Sequence, residues 1–283
     1  MKNNIFALGN FNSHITQINI NGSSKEEIEQ LCLKLINDQM SILRDDAAEI
    51  FKSQVREYAE LFYRQLLKMP EGVDVVNRLR TPAVQFALDE SLMIYSKHPS
   101  VDEKELQVEI LIDKIKHDDS STKGVIIDAA RLELCNITNA QISLLAFMII
   151  SSLKCESEDR DELTEFFRSF GPLLDDILPM KSVDYAYLQN TNCLHRISFV
   201  DKADFVEKEL FKGYAEKTGH SSEEEFKRYL NTTYPLWSTI LDNIKYNNMA
   251  CYKPTAVGLY IGLKRINKVC GWDLEFDKFY DAR

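Results

Sequence analysis

Five histidines, six cysteines and 44 acidic residues are the groups in this 283-residue sequence from which a metal or acid–base site could be built. The sharpest set is His98 followed by the dipeptide His117-Asp118. A histidine, then a His-Asp pair, supplies imidazole and carboxylate donors that can together hold one or two metals for phosphoester hydrolysis. Here the dipeptide runs straight into the polar stretch Asp118-Asp119-Ser120-Ser121-Thr122-Lys123-Gly124, which reads better as a solvated helix end. Cys193-Leu194-His195 is the nearest Cys/His pair, but no second pair stands at zinc spacing from it. Neither a Gly-x-Ser-x-Gly elbow nor a glycine-rich phosphate loop occurs. Gly258-Leu-Tyr-Ile-Gly262 is instead expected to let a neighbouring helix approach the backbone closely. No catalytic residue, metal ligand or cofactor is therefore assigned.

A different chemistry is available at the N-terminus. Between Asn3 and Ser24 there is no charged residue. Within it, alternation places Ile15, Gln17 and Asn19 on one face and Thr16, Ile18 and Ile20 on the other, which is strand periodicity. Ile5–Leu8, followed by Gly9-Asn10-Phe11-Asn12-Ser13, suggests a first strand and a turn. An uncharged strand of this kind can stack in register, amide side chains forming ladders and isoleucines interdigitating between copies. Asn10, Asn12, Ile15, Gln17, Ile18, Asn19 and Ile20 are thus the candidate oligomerisation residues. A hairpin that pairs within its own chain is the plainer alternative.

The elements behind these residues are helical. Glycine (10) and proline (7) make up about half the share of an average chain, too few for a sandwich, barrel or propeller. Everything after Gly22 reads as helix. Overlapping capping boxes at Ser23 and Ser24 begin it, and apolar residues from Phe51 to Met69 recur at three- and four-residue steps. Further helices are expected from Thr81-Pro82, over Glu103–Lys116, Gly124–Leu134 and Thr138–Leu153, and over Thr255–Cys270 with Gly271 at the stop. Pro172, Pro179 and Pro235 divide the second half into short helices. The expected fold is mainly α, a multi-helix domain with a short N-terminal β-strand or hairpin. Its organisation is a β-forming segment over 1–22, a helical lobe over 23–153 and a second helical lobe over 163–283.

Charge and cysteine usage set the partner classes. The net charge of −10 argues against nucleic acid. The aromatic and basic C-terminal half (Tyr229, Tyr234, Trp237, Tyr246, Tyr252, Tyr260 with Lys245, Lys253, Lys264, Arg265, Lys268) reads as core aromatics with ordinary surface lysines. Ile142–Leu153 is the longest apolar run, 12 residues against about 20 needed to span a bilayer. No stable membrane insertion is expected, and the apolar stretch at Ile5–Leu8 is too short for a signal peptide. Scattered cysteines without a Cys-x-x-Cys suit a reducing cytoplasm.

Several longer blocks carry a family likeness. They are Ala47–Ile50 through Tyr58–Phe62, Thr81–Glu90, Leu111–Lys114, Ile137–Ile142, Tyr187–Cys193, Pro254–Gly258 and Gly271–Leu274. Together they resemble a bacterial family of unassigned function that joins a short Asn/Gln strand segment to an α-helical body. The resemblance implies a cytoplasmic bacterial protein with a link to defence, and brings no activity or catalytic residues. The family pattern has no histidine at the position of His117, and often a glycine where Leu194 stands. The reading taken is a self-associating interaction or effector-type protein, binding itself and another protein. A metal-dependent phosphohydrolase and a membrane-perturbing effector using Ile142–Leu153 are the alternatives.

Overall fold

The computed structural model describes residues 48–66, 68, 69, 78–97, 101–117, 120–151, 160–197, 214 and 219–281. The chain divides into two compact units, 1–56 and 57–283. Of the first, residues 48–56 are described, and they are helical. The expected N-terminal strand and all seven candidate oligomerisation residues lie outside the described residues.

The second unit is mainly helical. It opens with a helix over 57–66 (α1), followed by α2 (Pro82–Lys97), α3 (Val101–Lys116), α4 (Thr122–Leu134) and α5 (Asn139–Ile150). Next come α6 (Arg160–Ser169), α7 (Gly171–Ile177) and α8 (Ser182–Leu188). After strand β1 (Leu194–Arg196) follow α9 (Glu223–Thr233), α10 (Pro235–Tyr246), strand β2 (Tyr252–Pro254), α11 (Ala256–Cys270) and α12 (Phe276–Asp281).

Local chemistry explains most of the boundaries. Thr138 and Gln141 form a reciprocal capping box at the start of α5, at 3.3 and 2.9 Å. Ser121 accepts from the Gly124 amide at 3.0 Å to start α4, and Thr255 does the same for Gly258 at 3.2 Å to start α11. Gly271 ends α11 in the left-handed region at φ 69°, where a Cβ is costly. Pro82 opens α2 as expected, but the Thr81 hydroxyl donates back to the Arg78 carbonyl at 2.8 Å.

The expectation of helix alone after Gly22 needs correction. β1 and β2 pair antiparallel, with Leu194 opposite Pro254, His195 opposite Lys253 and Arg196 opposite Tyr252. Three residues are too few to display the alternation by which a strand is read. Leu194 lies in this ladder.

α5 is the centre of the larger core, with every residue from Gln141 to Ile150 buried. A helix that is apolar all round has no solvent face and must be enclosed. α11 and α7 enclose it, and it is linked to α6 and α10 by a rosette in which Phe147, Phe167 and Phe170 surround the Trp237 ring at 4.8–5.9 Å. One polar pin crosses this seam. Arg265 of α11 reaches Asp176 of α7 at 2.5 Å, and Ser143 of α5 donates to the same carboxylate at 2.7 Å. A smaller core gathers Tyr58, Val84, Ala87, Tyr95, Val108 and Leu111 from α1, α2 and α3.

Candidate functional site

Of the metal set read from the sequence, His117 falls within the described residues, while His98 and Asp118 lie outside them. Among the described residues, no group of three or more His, Cys, Asp or Glu side chains is placed to hold a metal ion. Cys193 and His195 do not converge: the thiol is buried and the imidazole is exposed. Burial pushes the Cys193 thiol up to about 12, so it is protonated at neutral pH and a poor nucleophile.

His117 does, however, border a cleft of about 280 Å³ at the C-terminal end of α3. Four pieces of chain build it: the end of α3, the first turn of α4, one face of α11, and residues 273–277 leading into α12. Arg78 fixes the first of these. Its guanidinium donates to the carbonyls of Ile115 at 2.9 Å, Lys114 at 3.4 Å and His117, satisfying the open carbonyls that end a helix.

The floor of the cleft is Asp113. Its carboxylate accepts from Lys116 at 3.0 Å, from the Tyr260 hydroxyl at 2.5 Å, and from Lys264. Burial pushes this carboxyl up, but Lys264, Tyr260 and Lys116 outweigh burial and hold it below the usual carboxylate range. The same contacts act oppositely on Tyr260, where burial and the facing Asp113 charge raise the phenol well above its ordinary value. Burial lowers the His117 imidazole, and Lys123 lowers it further, so it is neutral at physiological pH.

These residues end a longer seam. Glu105, Glu109 and Asp113 recur every fourth residue on α3, as Tyr260, Lys264 and Lys268 do on α11, so each trio shares one helix face. Lys268 meets Glu105 at 2.8 Å and Lys264 meets Asp113, so the two helices are joined by a ladder of charge. The hydrogen bond from Lys268 lowers the Glu105 carboxyl, whereas burial raises that of Glu109 despite Lys264 and Lys268 nearby.

The remaining wall is a strap over α11. The Asn267 amide donates to the Leu274 carbonyl at 3.0 Å and accepts from the Leu274 amide at 2.9 Å, imitating a strand pairing. Phe276 packs edge-on against Tyr260, with centroids 5.5 Å apart, and Asp277 pairs with Lys123 at 2.6 Å. Sequence reasoning missed this cleft. The four-residue recurrence of acids on α3 and of Tyr260, Lys264 and Lys268 on α11 was the readable signal, but neither helix face shows its partner.

A family model described as ":-like", a description that names no activity, matches residues 22–217, well over half of the chain. The chain belongs to that family. The matched span includes Asp113, Lys116, His117 and Lys123 of the cleft and stops before the residues of α11 and the strap. No curated protein and no solved structure matches the chain.

The apolar run around Ile142 lies in α5, at the middle of the larger core. Its exposure to a bilayer would require α5 to leave α7 and α11. No helix among the described residues is long and apolar enough to cross a membrane.

Proposed function

We propose that the chain is a self-associating interaction or effector-type protein of bacterial defence or signalling, acting in the cytoplasm. Assembly runs through Asn10–Asn21, and the helical body engages another protein or carries the output. The observation that supports this reading is the uncharged stretch from Asn3 to Ser24 with its Ile/Gln/Asn alternation, which stands apart from an otherwise charge-rich chain. Val183 and Tyr187, one turn apart on α8 and 70% and 49% exposed, offer the body a small apolar contact for a partner. Light scattering after size exclusion tests assembly on the full chain, on Ile18→Lys and on a chain beginning at Ser23. The full chain is expected to run as an oligomer, and both altered chains as monomers. Identical monomeric masses for all three at high concentration would overturn the proposal.

A further inference from the structure

The cleft beside α12 carries both signs of charge, with Asp113 of α3 at its floor. Its bases, Lys116, Lys123 and Lys264, come from α3, α4 and α11, while Asp273, Glu275 and Asp277 come from the strap. We infer that this cleft binds a small zwitterion with an aliphatic body, an amino acid of about leucine's size. The inference is independent of the assembly segment.

Three observations support it. A volume of about 280 Å³ lies just under the range of about 300–1,000 Å³ that takes drug-sized ligands, so a small metabolite fits better. The lining charges nearly cancel, three lysines against Asp113 and the three strap acids, with His117 neutral. A plain anion would gain from the lysines and lose to the strap, and a plain cation the reverse; a ligand bearing both charges gains from each. Leu263, Leu274 and Phe276 form the smaller, apolar part of a mainly polar lining, against which a short side chain can lie.

The geometry leaves donors available. An ammonium group donates three hydrogen bonds. Asp113 positions Lys116 and Lys264 through one contact each, and both stay partly exposed. A ligand carboxylate on the exposed side of these lysines, away from Asp113, would find charge-assisted donors already in place. On the opposing piece of chain, Asp277 is 58% exposed and held by Lys123, a pair that parts at little cost and can turn to a ligand ammonium.

Titration calorimetry of the full chain with L-leucine, N-acetyl-L-leucine and L-leucinamide tests this. Acetylation removes the ammonium, and amidation removes the carboxylate. L-leucine is expected to bind saturably in the millimolar range or better, and each analogue at least about tenfold more weakly. Lys116→Met and Asp277→Asn should each weaken L-leucine by a similar factor while circular dichroism stays that of the parent. Four results would overturn the inference: no saturable heat with millimolar L-leucine, equal binding of N-acetyl-L-leucine, equal binding of L-leucinamide, or unchanged affinity in both folded variants.

Discussion

On one side, α11 lays Gly258 against the Cys193 backbone and Gly262 against α5; on another, Tyr260, Lys264 and Lys268 face a row of acids on α3. The first contact is set by shape. A methyl group at Gly258 would overlap the Cys193 carbonyl, which the β1–β2 ladder and the Thr255 amide hold in place at 2.9 Å. The second contact is set by charge, carried by side chains long enough to adjust. Packed backbones admit one arrangement, whereas a seam of lysines and carboxylates tolerates small shifts and keeps room for water or a ligand. The cleft lies on the charged side of α11 for that reason.

The largest effect is therefore expected on the close-packed face. Gly258→Ala gains about 1 kcal/mol from helix propensity but meets a backbone carbonyl that cannot rotate away, an overpacking cost of about 3 kcal/mol. Chemical denaturation should show a net loss of about 2 kcal/mol. Gly262→Ala should lose less, because the atom most in the way is the Cδ1 tip of Ile149, which can change rotamer. Equal stabilities for the two variants would mean that the Cys193 backbone yields as readily as a side chain does.

On the charged face, Asp113→Asn leaves Lys264 and Lys116 without their shared carboxylate. Both lysines are partly exposed, so the loss at neutral pH should be about 1–2 kcal/mol, below the 3–5 kcal/mol of a fully buried pair. Its pH dependence has a definite sign. The folded-state pKa of Asp113 is depressed, so its contribution is complete above the unfolded value of about 4 and is lost as pH falls through the lower folded value. The gap between the parent and Asp113→Asn should thus close below about pH 4. A gap that stays constant from pH 7 to pH 3 would assign the loss to altered packing.

The same contrast explains how far the sequence could be read. The helix starts at Thr138 and Thr255 and the Gly271 stop follow from residues within one turn of each other and were legible. At the start read from Thr81-Pro82, by contrast, the threonine turns back to Arg78 instead of capping α2. Gly258-x-x-x-Gly262 announced a close approach, and Gly262 does meet a helix, but Gly258 meets the strand segment at Cys193 instead. Nothing local could distinguish the two, since the partner lies 65 residues away in the chain. The cleft was illegible for the same reason. Asp113 and Asp277 are ordinary surface-type residues and Tyr260 reads as a core aromatic until tertiary packing brings them together, and the histidine that attracted attention, His117, borders the site without being its centre.

The smallest effect is the most diagnostic for the charged face. Glu109 stands between Lys264 and Lys268 on a seam with one acid more than it has lysines. Lys268 is engaged by Glu105 and Lys264 by Asp113, so burial of the Glu109 carboxylate is only partly offset. Its folded-state pKa is raised, which means that the fold holds the neutral acid better than the ion. The sign is opposite to that of Asp113: its contribution is favourable below the unfolded value of about 4.3 and disappears as pH rises through the folded value. Glu109→Gln keeps the shape and removes the charge. At pH 7 it should be neutral to slightly stabilising, and below pH 4 indistinguishable from the parent by thermal denaturation. A clear loss at pH 7 would show that Lys264 and Lys268 depend on Glu109 as a third partner, and that all three acids on α3, not Asp113 alone, set the field at the cleft.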